Sequence, residues 1–179
     1  MIRMNKLEGI DIPSLMLIKY PAPRLRETCT RVETFDERLE ALVHRMFEIM
    51  YKSNGVGLAA PQVGVSIRLF VANPTLEEGD DRVYINPELI FNEGSQEDDE
   101  GCLSFPGIAC RVKRYNVTTI RAQGLDGQTF EETGEGLQAR IYQHEYDHLE
   151  GVLLVDRMSE VAKLANRRTL KDLETMYAK

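Results

Sequence analysis

Residues Gln143 to Gly151 read QHEYDHLEG, two histidines four positions apart with a glutamate directly after the first. On a helix over Leu137–Leu149, residues Leu137, Ile141, His144 and His148 share one face. The histidines continue an apolar stripe and so point into the protein. Any fold for this chain must therefore bury a helix that carries two polar rings inward. Such rings cost stability unless they find partners. One solution is a pair of core histidines held by hydrogen bonds. The other is a metal ion gripped by both rings. Glu145 then stands beside the ion, about 100° around the helix, as a base toward water. The complete H-E-x-x-H favours the metal.

The rest of the chain supplies the scaffold. At 179 residues it is long enough for one domain with a real core, and a single catalytic domain over residues 1–179 is expected. A net charge of −7 argues against a general nucleic-acid binder. No apolar run reaches the length of a membrane span. The opening segment MIRMNKLEGIDIPS lacks an uninterrupted apolar core and does not read as a secretory signal. Three cysteines, Cys29, Cys102 and Cys110, argue against a disulfide framework and point to a reducing cytoplasm.

Residues 13–31 are interrupted by Pro13, Pro21 and Pro23 and should be mostly irregular. Thr34 to Glu37 has the form of a capping box, and Leu39, Leu42, Val43, Met46, Ile49 and Met50 follow at helical spacing. His44 falls off that stripe and reads as a surface residue. Asn54-Gly55 should end the helix. Arg68–Ala72, Val83–Glu93 and Arg111–Ala122 read as strands. Asp126-Gly127 signals a hairpin that returns over Gln128–Thr133, and Gly134 and Gly136 break the strand pattern. After the histidine helix, a terminal helix is expected from Ser159, as its N-cap, to Tyr177. Strands in the middle with flanking helices give an α+β fold.

A catalytic metal of this type needs a third protein ligand and an open position. The extended protease pattern H-E-x-x-H-x-x-G-x-x-H is met at Gly151 but fails at Leu154, which cannot ligate. Glu160 and Glu174 are more distant acidic candidates. Upstream, EGCLSFPG (Glu100–Gly107) places Cys102 at a strand-to-turn junction, from which a thiolate can enter a cleft. Cys110 and Cys29 read as small buried hydrophobes, although spacing alone does not decide between Cys102 and Cys110. The segment GVGLAAPQVG (Gly55–Gly64) fits a loose dinucleotide fingerprint, but it follows a helix and contains Pro61, so nucleotide binding is rejected. Its glycines allow close backbone approach to a ligand, and Gln62 offers an amide donor on a loop.

Three segments in this order, GVGLAAPQ (Gly55–Gln62), EGCLS (Glu100–Ser104) and QHEYDH (Gln143–His148), closely resemble the motifs of the peptide deformylase family. The resemblance implies antiparallel sheets around a central H-E-x-x-H helix, with an N-terminal helix and the helical C-terminus of the bacterial type. It implies Cys102, His144 and His148 as metal ligands, Glu145 as general base and acid, and Gln62 with the Leu103 N–H as the oxyanion hole. The implied substrate is the N-formylmethionyl end of a new polypeptide, and the products are formate and a free amino terminus. The implied metal is ferrous iron, with Zn2+ or Ni2+ as alternatives. Val56, Leu137, Arg140 and Ile141 fall where the family lines its methionine pocket, and Gly57 and Gly101 where its backbone pairs with the peptide. Ala109 stands where many relatives carry a substrate-touching arginine, with Arg111 nearby.

Lys163, Arg167 and Lys171, with Arg168, form a basic strip on the expected terminal helix. It reads first as a solvated face supported by Glu160, Asp172 and Glu174. The resemblance adds a ribosome contact through that helix. Two rival functions are an H-E-x-x-H metalloprotease with an acidic third ligand and a non-catalytic metal- or peptide-binding module. Leu154 counts against the first; Glu145 and Gln62, which simple ligation does not need, count against the second.

Overall fold

The computed structural model of the protein describes residues 7–177. Residues 1–6, which open the segment considered above as a secretory signal, lie outside the described residues. Residues 13–31 are largely irregular, with short 3-10 turns at Ile12–Ser14 and Pro23–Arg26. Helix α1 spans Glu37–Lys52, and all six of its predicted apolar positions are buried while His44 is exposed. Its N-cap is Asp36, not Thr34. The Asp36 carboxylate accepts the Leu39 N–H at 3.0 Å and places a negative charge at the positive end of the helix. Asn54 takes the left-handed conformation, φ 55°, that closes the last turn.

Seven strands follow: β1 (Gly57–Ala59), β2 (Leu69–Ala72), β3 (Arg82–Glu93), β4 (Gln96–Gly101), β5 (Ala109–Arg114), β6 (Val117–Gln123) and β7 (Thr129–Glu135). They form an antiparallel five-stranded sheet, in the order β1-β2-β3-β6-β7, and a separate β4-β5 pair. Helix α2 spans Leu137–Leu149, as its pattern predicts. Strand β2, Leu-Phe-Val-Ala, is buried at every position because both of its faces are covered. Leu69 and Val71 join the core made with α1, whereas Phe70 and Ala72 join the core made with Ile141, Tyr142 and Leu149 of α2. The architecture is α+β, as expected.

Four local expectations are corrected. Arg111–Ala122 is two strands in two sheets. The Gln143 side chain binds both backbone groups of Tyr115, accepting its N–H at 2.9 Å and donating to its carbonyl at 3.0 Å, and so turns the chain there. Gly134 lies inside β7 and breaks nothing; a Cβ there would sit 2.8 Å from Tyr142 and Gln138, so its bareness lets the strand pack on α2. Strands β1 and β4 were not anticipated. The C-terminal segment after a short α3 (Leu154–Arg157) is two helices, α4 (Glu160–Ala165) and α5 (Arg167–Tyr177). Ser159 caps α4 through the Ala162 N–H, as expected. Asn166 interrupts the run by donating its side-chain amide to the Ala162 carbonyl at 2.9 Å. A third core cluster ties the chain ends to the middle, joining Leu25, Phe105, Val112, Leu153, Leu154 and Leu173.

Candidate active site

Helix α2 forms the floor of a cleft of about 570 Å³, walled by the Gly55–Gly57 segment with Gln62 and by residues 99–108. Burial of Ile141, Tyr142 and Leu149 fixes the roll of α2 and with it the direction of both histidines. His144 Nε2 and His148 Nε2 lie 3.3 Å apart, and Cys102 Sγ is 3.4 Å from His148 Nε2. The ligand atoms of Cys102, His144 and His148 all lie within 4.8 Å of one another. Ordinary zinc–nitrogen and zinc–sulfur bonds at a tetrahedral ion separate two nitrogens by roughly 3.3 Å and a nitrogen from a sulfur by roughly 3.6 Å. The three residues therefore fit a single divalent ion in both chemistry and spacing. Cys110 is buried in the third core cluster, and Cys29 in the cluster against α2. Glu160 pairs with Lys163, and Glu174 accepts from the Tyr20 hydroxyl; neither belongs to the histidine cluster. Leu154 is buried core, and Gly151 is required by packing, since a Cβ there would lie 2.5 Å from the Arg26 carbonyl oxygen.

Behind His144 stands Glu100, which the reading of EGCLS passed over. Its carboxylate accepts from His144 Nδ1 at 2.6 Å, from two nitrogens of Arg114 at 2.6 and 3.1 Å, and from Arg140 at 2.8 Å. Burial alone would raise its pKa, but the hydrogen bonds from His144 and Arg114 outweigh that and hold it well below the carboxylate range. The network continues: Arg114 also donates to Asp147 at 2.6 Å, and Asp147 accepts a second arginine, Arg157, at 2.5 and 2.9 Å. This fixes the ring of His144 with Nε2 toward the cleft, the arrangement a ligating imidazole needs. His148 has no such support, because its buried Nδ1 has no hydrogen-bond partner among the described residues.

Glu145 is 4% exposed, and its Oε2 has no hydrogen-bond partner among the described residues. Burial pushes its carboxyl up to about 7. Across the cleft, Gln62 lies in a 3-10 turn, Ala60–Val63, rather than a free loop, and is almost fully buried. Its Oε1 accepts the Ala59 N–H at 2.9 Å, which turns its NH2 toward Cys102 Sγ (3.5 Å) and Ser104 Oγ (3.2 Å). The neighbouring Leu103 carbonyl accepts from Lys19 Nζ at 2.7 Å, and burial lowers the pKa of that ammonium. Lys19 carries no motif signal that would have singled it out, whereas Glu100 opens the EGCLS motif and could have been found there.

Val56, Gly57, Gly101, Leu137, Arg140 and Ile141 all line this one cleft. Two of them differ from the simple picture of an apolar wall. Leu137 does not continue the buried stripe; it is 53% exposed at the cleft rim, on the first turn of α2. Arg140 is buried, and its guanidinium is engaged by Glu100 and by the Val112 carbonyl. Arg111 donates to the Glu97 backbone carbonyl, on the outward side of β5.

A family model described as polypeptide deformylase matches residues 14–164. A peptide deformylase of Acidobacterium capsulatum is 49% identical over 158 residues, covering 87% of this chain and 93% of that one. A chloroplastic peptide deformylase 1B of Oryza sativa is 45% identical over 168 residues, covering 92% of this chain; the chain spans 62% of that relative's length. A crystal structure of a plant peptide deformylase superposes with a TM-score of 0.88 at 44% identity, over 92% of this chain and 91% of that one.

Proposed function

The chain belongs to the peptide deformylase family, metal-dependent hydrolases that remove the formyl group from N-formylmethionyl polypeptides and release formate, and on that premise we propose a division of labour among its own residues. Cys102, His144 and His148 hold the metal. The observation that carries this is their convergence, with two facing imidazole nitrogens 3.3 Å apart and a thiol 3.4 Å from one of them. A divalent ion there supplies Lewis acidity toward the formyl carbonyl and makes water ionise near neutral pH.

The protein residues handle orientation and protons. Glu145, buried beside His144, takes the proton from the attacking water and passes it to the leaving nitrogen. Gln62 and the Leu103 N–H receive the developing oxyanion; the Gln62 amide is already turned by Ala59, so no reorientation is needed as charge grows. Val56, Leu137, Ile141 and the aliphatic stem of Arg140 take the methionine side chain, while the backbones of Gly57 and Gly101 take the peptide. A thiolate makes the donor set softer and more negative than three imidazoles; ferrous iron is our proposed metal, and the same set also accepts the alternatives Zn2+ and Ni2+, so affinity alone does not select iron. Cys102 and Cys110 as free thiols suit a reducing cytoplasm. Among the described residues no helix is long and apolar enough to cross a membrane. Residues 1–179 act as one catalytic unit, a reading supported by the core cluster that spans Leu25 to Leu173.

The basic strip of Lys163, Arg167, Arg168 and Lys171 is our candidate for a ribosome contact. Leu173 of α5 is buried, and Glu174 is bonded to Tyr20, so deleting the helix would damage the core. Charge reversal at Arg168 and Lys171 is the cleaner test. Weaker co-sedimentation with ribosomes at low salt supports the contact, and unchanged binding removes it. The ligand assignment is tested by metal stoichiometry in Cys102→Ser and Cys110→Ser. Loss of metal in the first alone is expected; loss in the second alone would overturn the assignment.

A further inference from the structure

We propose that Gly57 is a positioning residue for the reaction, its bare α-carbon being the seat that fixes the Glu145 carboxylate. This rests on Glu145 as the proton carrier. Gly57 is not among the glycines with positive φ, so backbone freedom does not demand glycine here. Space does. A Cβ on Gly57 would lie 2.4 Å from Glu145 Oε1, 3.0 Å from Cδ and 3.1 Å from Cγ. The acid therefore lies against the glycine along most of its length.

Neither backbone can give way. Gly57 is paired with Ala72 of β2, and the Val56 carbonyl before it accepts the Asn73 N–H at 2.9 Å. Leu58 and Ala59, which follow, are fully buried in two different cores. Helix α2 is fixed by Ile141, Tyr142 and Leu149. What can move is the end of the Glu145 side chain. A methyl group at position 57 would therefore leave the fold intact and shift the carboxylate by about 1 Å, a misplacement of the kind that costs a reacting group roughly 10²-fold in rate. If Gly57 served only to pair its backbone with the peptide, the effect of a methyl group would be independent of what stands at position 145.

The test is Gly57→Ala made in the wild type and in Glu145→Asp, on metal-loaded enzyme, with kcat, KM, metal content and melting recorded for each. In the wild type we expect kcat to fall roughly 10²-fold with metal retained and KM changed less than about threefold. In Glu145→Asp, one methylene shorter, the same methyl group should cost less than about threefold. An equal loss in both backgrounds overturns the proposal, as does a loss confined to KM or an unchanged kcat. Should Gly57→Ala alone fail to fold, the double variant should fold, and a double variant equally unfolded overturns the idea. Full turnover in Glu145→Gln would instead remove the proton-carrier reading itself, and this proposal with it.

Discussion

Glu100 and Glu145 are both buried acids beside His144, and their surroundings are opposite. Glu100 receives Arg114, Arg140 and His144, so its charge is matched on both oxygens and its pKa is held low. Glu145 keeps one oxygen without a partner among the described residues, and burial raises its pKa to about 7. Burial raises both, so the difference comes from the hydrogen bonds and the charges of His144 and Arg114 that face Glu100. The first arrangement fixes a negative charge that orients a histidine. The second makes a group ready to exchange a proton at neutral pH. On the proposed roles, one site separates holding from reacting by how completely it satisfies each carboxylate.

The comparison can be broken most directly at Glu145. Glu145→Gln should lower kcat by roughly 10²–10⁴-fold with metal retained. Stability should be unchanged or higher, because an ill-matched buried charge is removed; loss of metal or of folding would place Glu145 with Glu100. Glu100→Gln should do the reverse. It leaves Arg114 and Arg140 short of a counter-charge, costing about 3–5 kcal/mol in denaturant unfolding. It should also weaken metal affinity by about 10–100-fold, readable by chelator competition.

The pH dependence of stability in metal-stripped protein sharpens the contrast further. The folded pKa of Glu100 lies below the ordinary 4.5, so its stabilisation is present above 4.5 and is lost as pH falls through the folded value. That of Glu145 lies above 4.5, so its contribution is full below 4.5 and is lost as pH rises through about 7. Glu100→Gln should flatten the acid side of the profile, and Glu145→Gln the decline toward neutrality. The smallest effect is expected from Arg157→Ala. Its pair with Asp147 is half-exposed on the arginine side, and Arg114 still serves Asp147, so the loss should not exceed about 1 kcal/mol. A loss as large as that of Glu100→Gln would show that the network, rather than Glu100, is the unit that orients His144.

The helices that frame this contrast were legible because their apolar spacing is regular. Leu39 to Met50 declared the buried face of α1, and Leu137–Leu149 declared α2 to the residue. The three motifs were legible as chemistry, and the structure brings their singled-out residues to the lining of one cleft, except His148, which is buried behind it with its Nε2 3.3 Å from that of His144. What stayed hidden depends on contacts made at a distance. Strand β4, Gln-Glu-Asp-Asp-Glu-Gly, has almost no strand propensity and is extended because β5 pairs with it. The turn at Tyr115 is invisible in a run of strand-forming residues, because the group that makes it, Gln143, lies 28 positions away. Glu100, Arg114 and Asp147 were missed for a related reason. Charged residues in a strand and on a helix read as solvent-facing until their partners are known. Gly57 was read for its backbone, and its steric role appeared only when the position of Glu145 was known.

The most direct test of the whole account is formate release from a short N-formylmethionyl peptide by anaerobically purified protein loaded separately with iron, nickel or zinc, with the N-acetyl peptide as control. Release from the formyl peptide alone, fastest with iron, is the predicted result. Folded, metal-containing protein that releases no formate with any of the three metals would contradict it.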